Sequence, residues 1–123
     1  MSGVLLWAGV GVLGALGALL RWQVDLRVGA RVDAGTLVWG TFTVNVSGAA
    51  LLGLLTGLAL SRDVELLLAT AFVGAYTTFS TWMLDTERLA EEGLRRDAVA
   101  NVLVSLGLGL AALALGRWVG GRL

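Results

Sequence analysis

Long uncharged blocks alternate with short charged segments along this chain. The four uncharged blocks are residues 1–20, 34–61, 66–84 and 98–116. A helix needs about 20 predominantly apolar residues to cross the hydrocarbon core of a bilayer. The pattern therefore predicts an all-α integral membrane protein, with residues 1–123 forming one domain. The four transmembrane helices are predicted at approximately 3–20, 35–60, 66–84 and 98–116.

Two of these blocks need further interpretation. The second is longer than one span requires, which indicates a strongly tilted helix or a re-entrant segment. The first lacks the basic start of a signal peptide, so we interpret it as a true span. The charged segment 85–97 is predicted to be a solvated helical extension or hairpin. Within it, Glu91 and Arg95 have the four-residue spacing of an ion pair on a helix surface.

Composition narrows the function classes. The chain is 57% hydrophobic, carries no net charge and contains neither cysteine nor histidine. No basic surplus is left for nucleic acid, and disulfides, thiol nucleophiles and most transition-metal sites are excluded. The commonest general base is also missing, so we do not expect an enzyme.

Small and polar residues line one face of the predicted second span. Thr41, Asn45, Ala49, Gly53 and Gly57 recur every four residues and therefore share a helix face. The glycine end predicts close helix packing. A buried asparagine amide is costly to leave unpaired, so it either bonds to a neighbouring helix or faces a polar path.

The third span contains residues that are unusual for a continuous helix. Gly74 and the hydroxyls of Thr77, Thr78, Ser80 and Thr81 disfavour regular helix, because hydroxyls compete for backbone hydrogen bonds. A break near residues 74–78 would free carbonyl oxygens, which suit a hard monovalent cation. A continuous helix whose threonines bond back to its own carbonyls is the alternative.

No Asp, Glu, Lys or Arg lies deep in any predicted span, although several neutral donors do. A proton-coupled transporter usually needs an intramembrane carboxylate. A channel for a small anion needs donors that replace water yet release the ion. Phe79 and Trp82 lie three residues apart on one face, and the electropositive edges of such rings can solvate an anion. Simple packing of the two rings is the ordinary alternative.

Three stretches together resemble the signatures of the CrcB/Fluc family of fluoride channels. They are GALGALLRW (14–22), GTFTVNVSG (40–48) and GAYTTFSTWMLD (74–85). They occur in the family's order, and the length and four-span layout are similar as well. One departure is Trp82, since the family usually has phenylalanine there.

The resemblance implies an antiparallel, dual-topology homodimer in the lipid bilayer, with a third helix broken near its centre. It also implies a structural sodium ion at the dimer interface, held by the backbone carbonyls of Gly74 and Thr77. The fluoride pore is then expected to involve eight residues, namely Thr41, Asn45, Thr78, Phe79, Ser80, Trp82, Asn101 and Ser105. Arg21 and Gly48, which end the first two signatures, are expected to be structural.

The implied function is passive export of cytoplasmic fluoride across the inner membrane of a prokaryote. A small four-span, dual-topology multidrug exporter is the main alternative, but it would need a membrane-embedded glutamate in the first span. A purely structural assembly subunit is a third interpretation, and fluoride flux separates it from a channel.

Overall fold

Four helical segments of the chain are long and apolar enough to cross a membrane, as the hydrophobic blocks predict. The computed structural model describes residues 1–31 and 38–123. The first helix is Gly3–Arg31 and the second is Trp39–Gly57. The third span is Arg62–Glu91, and the last helix is Arg95–Arg122.

Helix ends differ from the ends of the hydrophobic blocks. The first helix continues through the charged residues after Leu20, because a helix can extend into solvent with its charged side chains hydrated. The second helix has 19 residues, which is about the length of a single span. Within the described residues it therefore has no extra turns that could form a re-entrant segment. Residues 35–37, the predicted start of that span, lie outside the described residues.

Glycines bring the second and last helices into close contact. A Cβ at Gly53 or Gly57 would collide with the backbone of the last helix around Arg117. In the opposite direction, a Cβ at Gly116 or Gly120 would collide with the backbone of the second helix. In lipid, where the hydrophobic effect does not drive helix association, such close packing stabilises the pair. The predicted packing role of Gly53 and Gly57 is confirmed.

The first helix packs on the third span in the same way. Gly17 lies against the carbonyl of Phe72, so that a Cβ at position 17 would collide with it. On the opposite side, Leu5, Val12, Leu16 and Leu19 are exposed. An exposed apolar face is expected on a helix whose solvent is the lipid chain region.

The third span is bent by 21° and changes its helical geometry along its length. A short α-helical start, Arg62–Glu65, leads into π-helix at Leu66–Val73 and one helical turn at Gly74–Tyr76. Thr77 is extended (φ −81°, ψ 160°), and α-helix resumes at Ser80–Glu91. The sequence predicts a break near residues 74–78, and the interruption is centred slightly later, at residues 77–79.

The charged segment after the third span forms a helical hairpin, one of its two predicted forms. Gly93 adopts φ +81°, and the amides of Gly93 and Leu94 bond back to the carbonyls of Ala90 and Leu89. This arrangement caps a helix C-terminus with a left-handed glycine. Because the chain reverses at Gly93, Glu91 and Arg95 lie on different helices, and their predicted pairing within one helix is wrong.

Candidate functional site

One side chain of the second helix binds the interrupted backbone of the third span. The Asn45 amide nitrogen donates to the carbonyl of Thr78 at 2.8 Å, and the Thr78 amide donates to the Asn45 side-chain oxygen at 2.8 Å. The two bonds replace helical partners that Thr78 lacks at the interruption. The interhelical bond, one of the two options for this asparagine, is therefore present.

Neighbouring residues of the second helix fit against the same interruption. A Cβ at Gly48 would collide with the methyl group of Thr77 and reach within 3.2 Å of the Tyr76 ring. Ser47 donates to the Val44 carbonyl, so its oxygen is an acceptor for the buried Tyr76 hydroxyl at 2.8 Å. The second helix thus holds the backbone on both sides of Thr77.

Two backbone carbonyls at the interruption lack the hydrogen bonds of a regular helix, because the amides that would donate to them donate to side chains instead. Regular helix would pair the Thr78 amide with the Gly74 carbonyl and the Thr81 amide with the Thr77 carbonyl. Instead, Thr78 donates to Asn45, and the Thr81 amide donates to the Thr78 hydroxyl at 3.2 Å. No hydrogen bond within the described ranges reaches the carbonyl of Gly74 or Thr77.

A groove of about 360 Å³ runs beside this interruption, between the third span and the last helix. Asn45, Gly74, Phe79, Trp82, Ser105 and Gly109 contribute to its lining, with apolar residues making up most of the rest. Ser105 is 6% exposed, and its hydroxyl has no hydrogen-bond partner among residues 1–31 and 38–123. A buried hydroxyl without a partner is costly, so this oxygen is suited to a ligand that the groove would hold.

Two aromatic rings form part of the groove wall. Phe79 and Trp82 meet edge to face, with ring centroids 5.9 Å apart and planes at 87°. The Phe79 side chain is 69% exposed, whereas Trp82 is half-buried. The Trp82 indole N–H donates to the backbone carbonyl of Asn101 at 3.1 Å, so it is not available to donate to a ligand in the groove.

Asn101 itself is turned away from the groove. It is 1% exposed, and its amide nitrogen donates to the Thr86 hydroxyl at 3.0 Å. Asn101 does not contribute to the groove lining, so its predicted part in the pore is not supported by its position. Its contacts instead join the third span to the last helix.

A smaller cavity of about 160 Å³ lies on the other side of Thr78. Arg21, Asp25, Thr41 and Thr81 contribute to its lining. The buried Thr41 hydroxyl donates to the Asp85 carboxylate at 2.8 Å. Thr41 and Arg21 therefore both line this cavity, and the Thr41 hydroxyl directs its proton to Asp85.

The structure brings most of the predicted residues to the two sides of Thr78. Ser80 is exposed at the start of the resumed helix, 3.5 Å from the Thr78 hydroxyl. The sequence analysis missed Asp85, Thr86 and Tyr76, each of which pairs with a predicted residue or with its neighbour. Asp85 ends the third signature and Thr86 lies one turn after Trp82, so helical spacing could have indicated both.

Comparisons with known proteins agree on one family. The family model described as CrcB-like protein, Camphor Resistance (CrcB), matches residues 8–117. The chain is 55% identical over 116 residues to "Fluoride-specific ion channel FluC 2" of Mycobacterium tuberculosis, covering 94% of this chain and 91% of the relative. It is 56% identical over 117 residues to the protein of the same name from Mycolicibacterium paratuberculosis, with 95% of each covered. "Fluoride-specific ion channel FluC 1" of Symbiobacterium thermophilum is 44% identical over 119 residues, covering 93% of this chain and 96% of the relative.

Proposed function

Because the chain belongs to the CrcB family, we propose that it is a fluoride-specific channel through which cytoplasmic fluoride leaves the cell passively. Its four spans and bacterial relatives make it a multi-pass protein of the inner membrane. The observation that carries the proposal is the buried, unpartnered hydroxyl of Ser105 in the groove beside Phe79 and Trp82.

Ser105 can donate to an anion at low cost. Its hydroxyl is desolvated already, so an entering fluoride ion would supply the missing hydrogen-bond acceptor. Among the described residues, none that lines the groove is charged. A buried cation would hold fluoride tightly, whereas a neutral donor binds it weakly enough to permit exit.

Phe79 extends this argument to an aromatic contact. Its ring is exposed on the groove wall and is held at right angles to the Trp82 ring. The edge of an aromatic ring carries partial positive charge, so it can face a dehydrated anion. We propose that fluoride passes Ser105 and Phe79 in turn.

The exposed groove wall supports a dimer. A pore must be shielded from lipid along its length, yet Phe79 is 69% exposed and Gly74 has open space beside its Cα. A second copy of the chain would cover both. We propose that this copy is inserted in the opposite orientation, so that the two interrupted third spans meet across a two-fold axis in the membrane plane.

The two free carbonyls suit a structural sodium ion at that axis. Gly74 and Thr77 are the residues that the family resemblance implies, and their carbonyls are left without partners when Asn45 and Thr78 capture the facing amides. Carbonyl oxygens are ligands for hard cations, and non-helical backbone at membrane depth must find such partners. Bound sodium would supply a fixed positive charge that holds the two interruptions together.

Export would need no coupled energy source beyond the membrane potential. Fluoride that enters as weakly acidic HF ionises in the cytoplasm, and an inside-negative potential drives the anion outward. That driving force is about 2.3 kcal/mol per unit charge for each 100 mV. The exporter alternative needs an embedded glutamate in the first helix, and residues 3–20 contain none.

Fluoride efflux from liposomes containing the purified protein tests the channel. We expect rapid fluoride efflux and little chloride efflux. Ser105→Ala removes the hydroxyl that would donate to the ion, so it should slow fluoride efflux by at least about tenfold, which corresponds to about 1.4 kcal/mol of lost stabilisation. Thr56→Ala is the matched control, since the Thr56 hydroxyl bonds its own helix at the Gly53 carbonyl outside the groove. Absence of fluoride efflux, or equal efflux of chloride, would reject the proposal.

Sodium replacement tests the cation. Efflux should fall when the protein is purified and assayed without sodium, and no sodium current should accompany fluoride current. Thr77→Ala should have little effect, because the Thr77 hydroxyl bonds its own helix at the Val73 carbonyl and only the backbone is proposed to bind the ion. Full activity in the thorough absence of sodium would contradict this part of the proposal alone.

A further inference from the structure

Three hydrogen bonds form a closed ring at the contact between the third span and the last helix, and two of them cross from one helix to the other. The Trp82 indole N–H donates to the backbone carbonyl of Asn101 at 3.1 Å, and the side-chain amide of Asn101 donates to the Thr86 hydroxyl at 3.0 Å. The Thr86 hydroxyl completes the ring by donating to the Trp82 carbonyl at 2.8 Å. We call these three residues the indole latch.

The latch satisfies groups that could not be left unpaired. Asn101 is 1% exposed, so its amide would lose a hydrogen bond with no water to replace it. The latch also spans the two helices at the height of the groove, where Trp82 and Ser105 both contribute to the wall. Its position therefore connects a buried polar network to the surface that an ion would pass.

The Trp82 side chain has to be held in one rotamer more than a phenylalanine at this position would. An indole is larger than a phenyl ring, and rotation about its side-chain bonds would move its bulk into the groove. The Phe79 ring depends on it as well, since Phe79 is 69% exposed and meets Trp82 edge to face. A change in the Trp82 rotamer would therefore alter the groove wall and remove the edge-to-face contact of the Phe79 ring.

We propose that Thr86 and Asn101 are positioning residues for the channel. Their side-chain bond fixes the last helix to the third span where the Asn101 backbone carbonyl accepts the Trp82 indole N–H, so that the indole stays against the groove wall and the path beside Phe79 stays open. This inference rests on the proposed function, because it assigns the latch a role in fluoride passage. In this chain the N–H of tryptophan is what makes the latch possible, since phenylalanine has no donor.

Indole hydrogen exchange tests the latch independently of transport. In protein labelled with ¹⁵N-tryptophan, the Trp82 signal is the one of five that is absent from the Trp82→Phe variant. Its proton should exchange more slowly than those of exposed Trp7 and Trp118. Thr86→Val should accelerate this exchange by about tenfold or more, whereas Thr86→Ser, which keeps the hydroxyl, should leave it nearly unchanged.

Fluoride efflux then tests the positioning role through a double-mutant cycle. Thr86→Val should slow efflux by about fivefold or more in the native background, yet have little further effect in the Trp82→Phe background, because coupled residues are not additive. Thr86→Ser should retain efflux. If Thr86→Val does not fold, the double variant Thr86→Val/Asn101→Leu replaces it, since that change leaves no amide unpaired.

Each result decides the proposal. Equal slowing in both backgrounds would assign Thr86 a general structural role, and no slowing in either would remove it from the path; both overturn the inference. Unchanged indole exchange in Thr86→Val would do the same. Wild-type protein that carries no fluoride would overturn the proposed function and with it the channel role, while an exchange response would still show the latch as a structural contact.

Discussion

Asn45 combines two tasks at the interruption of the third span. Both polar atoms of its side chain pair with the backbone of Thr78, at 2.8 Å each. This pairing frees the Gly74 carbonyl, and it also fixes the wall of the groove that Asn45 helps to line. On the proposed ion path, Asn45 would therefore act through the Thr78 backbone that it holds.

Asn45→Asp should abolish fluoride efflux. The carboxylate can still accept from the Thr78 amide, but it cannot donate, so it places negative charge against the Thr78 carbonyl. In a low dielectric the same charge repels an anion strongly. We expect efflux from liposomes to fall by about a hundredfold or more while the protein elutes as the native assembly. Efflux close to the native rate would remove Asn45 from the site.

Phe79→Ile should reduce efflux far more than Trp82→Phe. Isoleucine keeps apolar volume at an exposed position but removes the ring edge, so we expect a loss of about tenfold or more. Trp82→Phe loses one indole hydrogen bond and keeps a ring, which is also the usual residue of the family, so efflux should be retained or rise. Normal efflux in Phe79→Ile would show that the two rings only pack together.

The chemistry of single residues was easier to predict than their partners. A buried asparagine four residues after Thr41 indicates a required hydrogen bond, and the structure supplies it through Thr78. The direction of the Thr41 hydroxyl toward Asp85 could not be deduced, because it depends on the rotation of two different helices. The same reason applies to the Asn101 amide, whose bond to Thr86 depends on the rotation of the third span and the last helix.

The elements follow from the hydrophobic blocks, but their internal geometry does not. Four blocks of suitable length predict four spanning helices. The hydroxyls around Gly74 are compatible with an interruption or with a continuous helix, and the family resemblance implies the interruption. The π-helical geometry of Leu66–Val73 has no corresponding signal, since this segment has neither glycine nor proline and only one polar residue, Thr70. Such widening of a helix depends on how neighbouring helices pack on it, which a single sequence does not display.

Close packing between the second and last helices allows a matched glycine test. A Cβ at Gly116 would collide with the Ala50 carbonyl, whereas Gly107 in the same helix has nothing within 4 Å. Gly116→Ala should destabilise the protein by about 1–3 kcal/mol through overpacking. Gly107→Ala should be neutral or stabilising by up to about 1 kcal/mol, since alanine favours helix. Thermal unfolding in detergent measures both, and equal stability would contradict the packing role.

Charges of the whole chain determine its orientation only weakly. The N-terminal amine lies 3.7 Å from the Asp63 carboxylate, so the N-terminus and the second connector are on one side of the bundle. That side also receives the end of the last helix, with Arg62, Arg117 and Arg122. The other side has six arginines, namely Arg21, Arg27, Arg31, Arg88, Arg95 and Arg96. Six arginines on one side against three arginines and the amine on the other is a small bias. It is smaller still because Arg21 lies so close to the predicted first span that it contributes little to orientation.

Gly74 offers a test of the proposed dimer interface. Its backbone has ordinary helical angles (φ −59°, ψ −39°), and a Cβ there would meet nothing within 4 Å. A larger residue should therefore leave the single chain folded and disturb only what packs against it. We expect Gly74→Leu to convert the proposed dimer to monomer in detergent, and a dimer of unchanged stability would place the interface elsewhere.

Single cysteines in this cysteine-free chain can measure orientation directly. Gly29 and Ser61 are both exposed. Gly29 lies near the end of the first helix and Ser61 lies in the connector before the third span, at the opposite end of the bundle. If chains insert in both directions, an impermeant thiol reagent on intact cells should label about half of Gly29→Cys and about half of Ser61→Cys, as a weak arginine bias permits. The same chains should all react after lysis. A single orientation would instead label nearly all of one variant and nearly none of the other. That result would rule out the antiparallel dimer, because two third spans can meet across a two-fold axis in the membrane plane only when their chains are oppositely inserted.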